Sequence, residues 1–193
     1  MKIIFATNNV GKLTELQMFL PENIKLITLN EAGITEDIEE PFFTFRENAW
    51  AKAKYVFDKT GLPVFAEDSG IIAEALGDKP GVLSARFAGD HNDQANNAKL
   101  LEVMKNEQNR VVYYTAVIAC MLAEDKVSYF EGKCYGTLAE EAKGTNGFGY
   151  DPLFVPDGYT QSFGELDPSV KKGMSHRSKA VQQLVAYLSS LDK

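Results

Sequence analysis

Cysteine is scarce in this sequence: Cys120 and Cys134 are the only two among 193 residues, and both lie in apolar, strand-like stretches. No paired spacing points to a disulfide framework or a zinc site, so buried free thiols are expected. Basic charge is also in deficit. Lys and Arg number 20 against 27 Asp and Glu, a formal net charge of -7. That balance disfavours a protein that holds duplex nucleic acid through phosphate contacts, and no nucleic-acid partner is expected. Long hydrophobic runs are missing too. The stretch from Val111 to Ala123 is broken by Thr115 and falls short of the roughly 20 residues a membrane helix needs. The start, Met1 to Ala6, has no basic, apolar and cleavage-site sequence of a secretory leader. A cytoplasmic protein without a membrane segment is expected. What the chain does have is an ordinary globular balance, 45% apolar and 24% charged, which excludes wholesale disorder and fits one domain over residues 1–193.

Hydrophobic periodicity gives the organisation. Lys2 to Ala6 reads as a buried strand, followed by a polar turn and a helix over Lys12 to Leu20 that Pro21 stops. Ile24 to Leu29 predicts a second strand. After the acidic stretch Glu31 to Glu40, the spacing of Ala49, Ala53, Val56 and Phe57 predicts a helix over 45–59. Val64 to Ala66 and Ile71 to Ala75 read as two short strands around a Ser-Gly turn. The cluster Asp90 to Asp93 should cap a helix reaching about Lys105. Val111 to Leu122 and Lys126 to Gly136 then suggest an antiparallel hairpin joined through Ala123 to Asp125. Tyr150 to Val155 is expected to be extended, and a closing helix should run over 176–191 on a stripe of Val181, Leu184, Val185 and Leu188. Crossover and hairpin signals together predict an α/β fold with a mixed sheet, in two lobes around a cleft.

Four segments carry chemistry. Thr7, Asn8, Asn9, Val10, Gly11 and Lys12 lie between a strand and a helix, where unsatisfied N–H groups, the helix dipole and a lysine favour phosphate. A P-loop is excluded, because its pattern would need Gly at Ala6 and a hydroxyl at Leu13. An ordinary Asn/Gly turn is the alternative. The second segment is acidic: Glu36, Asp37, Glu39 and Glu40 in a loop, with Glu67 and Asp68 at a strand end. Carboxylates with substrate phosphate are what Mg2+ takes as ligands, whereas a solvated acidic face is the favoured reading of the loop taken by itself. Glu67 and Asp68, flanked by apolar runs, call for a cation. The third is Gly147 to Pro152, where Phe148 offers a face to a nucleobase and Asp151 an acceptor; a tight turn with a core aromatic is the alternative. The fourth is Lys171 to Arg177, with Ser175 placed to cap the last helix and cations where a helix start disfavours them, which suggests an anionic ligand. A lone His such as His176 is more often structural than catalytic, and His91 carries no motif.

Together these segments resemble the Ham1 or inosine triphosphate pyrophosphatase family over nearly the whole chain. The likeness runs through TNNVGK at 7–12, TFRENAWAKA at 44–53, AEDSG at 66–70, PGVLSARFAG at 80–89, GFGYDPLF at 147–154 and SHRSKA at 175–180. The resemblance implies a long central mixed sheet dividing two α/β lobes around a nucleotide cleft, a homodimer, and Mg2+-dependent hydrolysis of non-canonical purine nucleoside triphosphates to monophosphate and pyrophosphate. It assigns triphosphate to Thr7–Lys12, metal to Glu39 and Asp68, and the proton-acceptor role to Asp68. Substrate contact falls to Ser69, Phe148, Gly149, Tyr150, Asp151, Lys171, His176 and Arg177. Two positions depart from the family pattern: Asn8 stands for the usual Gly of TGN, and Glu67 for the first Asp of DDSG. Metal binding is therefore open among Glu39, Glu40 and Glu67. A nucleotide-sensing module without turnover, a kinase-like NTPase and a pyrimidine-directed, Maf-like pyrophosphatase are the competing readings.

Overall fold

The computed structural model describes residues 1–17, 19–89, 91–124 and 126–191. In chain order it contains β1 (Lys2–Phe5), α1 (Val10–Gln17), β2 (Lys25–Ile27), α2 (Phe45–Thr60), β3 (Val64–Ala73), β4 (Lys79–Pro80), α3 (Asp93–Val103), β5 (Val111–Ala123), β6 (Lys126–Leu138), β7 (Phe154–Pro156), α4 (Pro168–Met174) and α5 (His176–Ser190), with 3₁₀ turns at Glu74–Leu76 and Gly81–Arg86. The strands pair in the order β2-β1-β3-β5-β6-β7, and β4 adds to β3. β1 is parallel to β2 and β3, whereas β4 and β7 are antiparallel to their neighbours, so the sheet is mixed as expected. Two residues join β5 to β6, a connection that only antiparallel strands can use; Asp125, in this predicted turn, lies outside the described residues.

The chain forms two compact units. The first comprises Met1–Asp68, Ala116–Gly132 and the chain from Arg177; the second comprises Ser69–Thr115 and Lys133–His176.

In the first unit β1 is buried on both faces, as a parallel strand covered by helices must be. Its alternation sorts Ile3 and Phe5 to one core with Ala180, Val181, Leu184 and Leu188 of α5, and Ile4 and Ala6 to a second core with Ala49, Ala53 and Val56 of α2. Phe5 stacks on Phe65 with ring centroids 4.6 Å apart; burying each such ring stabilises the unit by about 1.5–3 kcal/mol. Helix α2 has strong local signals. Thr44 accepts from Glu47 N–H and donates to its carboxylate at 2.6 Å, a capping box, and Gly61 ends the helix at φ 65° with its N–H on Phe57 O. Cys120 is a buried free thiol whose pKa burial pushes up to about 12.

In the second unit Ile71, Leu100, Met104, Val112, Leu153, Phe154 and Phe163 share one core. Cys134 is also a buried free thiol. Asn92 caps α3 by accepting from Ala95 N–H, whereas Asp90, from the same predicted cluster, lies outside the described residues.

Three expectations change. Ser69 and Gly70 are not a turn: β3 runs unbroken from Val64 to Ala73, because the residues on either side are buried and the ladder continues through them. Tyr150 to Leu153 form a turn, with Leu153 and Phe154 N–H groups on Tyr150 O, so the extended segment there starts only at Phe154. Residues 168–174 form the unpredicted α4, capped by Asp167 with Pro168 at its start. Lys171 and Lys172 therefore occupy the last turn of a helix, where cations are favoured, and their position there no longer argues for an anion.

Candidate functional site

The first unit gathers its charges around the end of β3. Glu67 and Asp68 are both almost fully buried, and their surroundings differ. Arg177 grips Glu67 with two bonds, Nε to Oε2 at 2.8 Å and Nη2 to Oε1 at 2.9 Å, and its Nη1 meets Glu15. Lys12 adds an ammonium 3.4 Å from Glu67 Oε1. Burial opposes the charge on Arg177, but Glu67 and Glu15 outweigh it and hold the guanidinium firmly protonated. Burial lowers the pKa of Lys12, against the pull of Glu67. Glu67 is therefore charge-balanced inside the protein, and the longer carboxylate at this position serves as an anchor for two cations.

Asp68 is held differently. Burial raises its pKa and Glu40 raises it further, while Lys52, Lys12 and a hydrogen bond from Asn48 oppose the shift. Lys52 Nζ contacts the Glu40 carboxylate, donates to Glu67 O at 2.9 Å and lies 4.0 Å from Asp68 Oδ1. Glu40, not Glu39, is thus the loop acid brought toward Asp68; Glu39 is exposed. Glu36 is drawn off to Tyr55 and Lys59. Lys12, Lys52 and Arg177 face Glu15, Glu40, Glu67 and Asp68 in one charged cluster.

The phosphate-type loop lies at the start of α1 in the same unit. Asn9 caps the helix by accepting from Lys12 N–H at 3.1 Å, and Thr7 Oγ1 accepts from Asn9 N–H. Asn8, Asn9 and Val10 are exposed and Gly11 is half-buried. An anion at this helix start would meet oriented N–H groups and the positive dipole end.

The second unit organises the GFGYD segment. Asp151, buried, accepts from Phe148 N–H at 2.9 Å, Lys171 Nζ at 2.7 Å and Tyr114 OH at 3.3 Å. Its carboxylate is engaged in building the loop. Gly147 is needed at φ 76°, and a Cβ there would overlap the Asp151 carboxylate. Lys171 Nζ stands 4.5 Å from the centre of the half-buried Phe148 ring. His176 is buried and stacked on Tyr114 at 4.6 Å. Tyr150 is buried and donates to Ser84 O at 2.7 Å. Gly149 is held by α3, its N–H on Asp93 and its carbonyl accepting from Asn97. Ser69 opens this unit half-buried.

Sequence reasoning missed Glu15, Asn48, Lys52 and Tyr114. Asn48 and Lys52 left a signal, since both fall on the face of α2 that carries Ala49, Ala53 and Val56, where a polar side chain needs a partner. Among the described residues no group of three or more His, Cys, Asp or Glu gathers as a metal cluster, and no helix is long and apolar enough to cross a membrane.

Comparison with known proteins identifies the family. The chain is 44% identical over 190 residues to the dITP/XTP pyrophosphatase of Christiangramia forsetii, covering 98% of this chain and 100% of that protein. It is also 44% identical to the protein of that name from Porphyromonas gingivalis, with 97% of both covered. Among solved structures, a HAM1 protein from Coxiella burnetii superimposes with a TM-score of 0.92 at 38% identity, over 98% of this chain and 99% of that one. With the Ham1 family model matching residues 3–187, the chain belongs to the Ham1 family.

Proposed function

We propose that this protein hydrolyses non-canonical purine nucleoside triphosphates, dITP, ITP and XTP, to the monophosphate and pyrophosphate. The observation that carries the reading is Asp68: a buried carboxylate with a raised pKa, set beside Glu40 and an ammonium, in a chain that matches dITP/XTP pyrophosphatases over nearly its full length. Asp68 accepts a proton from the water that attacks the α-phosphorus, and pyrophosphate departs in line. Thr7, Asn8, Asn9, Val10, Gly11 and Lys12 hold the triphosphate, with Lys12 offsetting its charge. Ser69, Phe148, Gly149, Lys171 and His176 are the proposed substrate contacts of the second unit, while Tyr150 and Asp151 support them. Arg177 acts as the counter-ion of Glu67 and orients Lys12 through it.

Two carboxylates suit Mg2+, which takes one or two such ligands and completes its shell with phosphate and water. The Lys52 ammonium against Glu40 and near Asp68 marks the place as one that accepts positive charge. Glu40 and Asp68 would hold the ion, with Glu39 displaced from the role by its exposure. When bound, the ion neutralises phosphate oxygens and lowers the pKa of bound water. The family resemblance supports Mg2+ as that ion, a homodimer as the assembly, one functional domain, a cytoplasmic location and the absence of a nucleic-acid partner; the net charge of -7 supports the last as well.

Preference for 6-oxo purines over ATP follows from donor chemistry at the base edge. A 6-oxo group accepts a hydrogen bond, whereas the 6-amino group of adenine leaves a buried donor unpaired at about 1–3 kcal/mol. The test is chromatography of products from ITP, XTP, dITP and ATP. IMP and pyrophosphate from ITP are expected, with ATP slower by roughly tenfold or more. IDP and orthophosphate, or binding without turnover, would refute the assignment.

A further inference from the structure

We propose that Asn48 is a positioning residue that ties the Asp68 carboxylate to the backbone of Phe42, and so fixes the proton acceptor and the Glu40 loop as one piece. Its amide is used in full. Nδ2 donates to Asp68 Oδ2 and to Phe42 O, both at 3.1 Å, and Oδ1 accepts from Phe42 N–H at 2.9 Å. The side chain is completely buried. An Asn in a helix costs roughly 0.5 kcal/mol relative to Ala, and a buried amide is tolerated only with partners, so a purely packing role would be served better by the Ala of its neighbours Ala49 and Ala53.

The geometry divides the two oxygens of Asp68. Oδ2 is fixed by Asn48, while Oδ1 is the oxygen 4.0 Å from Lys52, whose ammonium also meets Glu40. Glu40 precedes Phe42 by two residues, with the φ-restricted Pro41 between them, so fixing the backbone of Phe42 limits where the Glu40 carboxylate can go. Asn48 itself is rigidly placed. It sits one turn into α2, its N–H on Thr44 O, behind the capping box of Thr44 and Glu47. No other side chain of this shape does the same work, because Asp lacks the two donors and Leu lacks every polar atom.

This inference rests on the reading of Asp68 as proton acceptor, and the test separates the two. Asn48→Ala and the isosteric Asn48→Asp are compared with wild type for dITP hydrolysis at saturating Mg2+, alone and in an Asp68→Asn background, with thermal midpoints as the folding control. Both single variants should lower kcat by about 10- to 100-fold, the usual scale for removing a partner that orients a reactive group, and leave KM within about threefold. In the Asp68→Asn background the same substitutions should lower kcat by less than about threefold, because a residue that works through Asp68 has nothing left to orient. Should the Ala variant fail to fold, the Asp variant decides. Unchanged kcat in a folded variant, a loss confined to KM, or losses that multiply in the double variant would overturn the inference. An Asp68→Asn protein with wild-type turnover would instead refute the reading of Asp68 itself.

Discussion

Glu67 and Asp68 are consecutive buried carboxylates for which the structure predicts opposite stability effects. Changing Glu67 to Gln removes the charge and one acceptor while keeping the shape. Arg177, 2% exposed, then loses the counter-charge it grips with two bonds while the partly buried Glu15 stays on Nη1, and a Gln amide N–H faces a guanidinium N–H. Breaking a buried pair in this way costs about 3–5 kcal/mol. For a chain of this size, each kcal/mol shifts the thermal midpoint by about 2–4 °C, so the variant should melt roughly 6–20 °C lower. Asp68→Asn should do the reverse. Burial raises the Asp68 pKa in the folded state, so its stabilising contribution is complete below the ordinary value of 3.8 and is lost as pH rises through the raised value. At pH 7, where the carboxyl of the unfolded chain is ionised, the raised folded-state pKa therefore counts against the fold, and the neutral amide removes that cost. Calorimetry without divalent metal should find Asp68→Asn above wild type at pH 7, with the gap closing as pH falls toward 3.8. A Glu67→Gln midpoint within about 2 °C of wild type, or an Asp68→Asn midpoint below it at pH 7, would refute this account of the pair.

Asp68→Asn should also cut turnover by roughly a hundredfold or more without unfolding the protein, as measured by steady-state kinetics with ITP. Glu40→Gln should reduce kcat by at least about tenfold and raise the Mg2+ concentration needed for half-maximal rate, while Glu39→Gln stays within about threefold; equal effects would return the loop register to doubt. Gly147→Ala, which forces a Cβ against the Asp151 carboxylate at a positive φ, should destabilise by about 1–3 kcal/mol and raise KM for ITP; a neutral outcome would show the loop to be more yielding than its geometry implies.

Local signals decided which parts of this structure were legible. Helix α2 matches its predicted range almost to the residue, because Thr44, Glu47 and Gly61 mark its ends, and the stripe of α5 does the same for the last helix. The unbroken β3 was hidden by Gly70, which reads as a turn when the burial of both flanks is invisible. Helix α4 had a legible start in Asp167-Pro168, yet its short apolar pattern did not reach a periodic window, and Lys171 and Lys172 were credited to the wrong helix end. The TNNVGK turn, Asp68 and the glycines of GFGYD were all visible as motifs. The choice between Glu39 and Glu40 was not legible, because an irregular acidic loop has no period to set its register; in the structure it is Glu40 that meets Lys52. Glu15 and Tyr114 left no local trace; each meets its partner across more than 30 residues of chain, Glu15 on Arg177 and Tyr114 on Asp151.

The central claim, water attack at the α-phosphorus promoted by Asp68, is tested most directly by hydrolysing ITP in ¹⁸O-labelled water and locating the label by mass spectrometry. One labelled oxygen in IMP and none in pyrophosphate is the predicted result. Label in pyrophosphate, or release of labelled orthophosphate, would place the attack at another phosphorus and contradict the account.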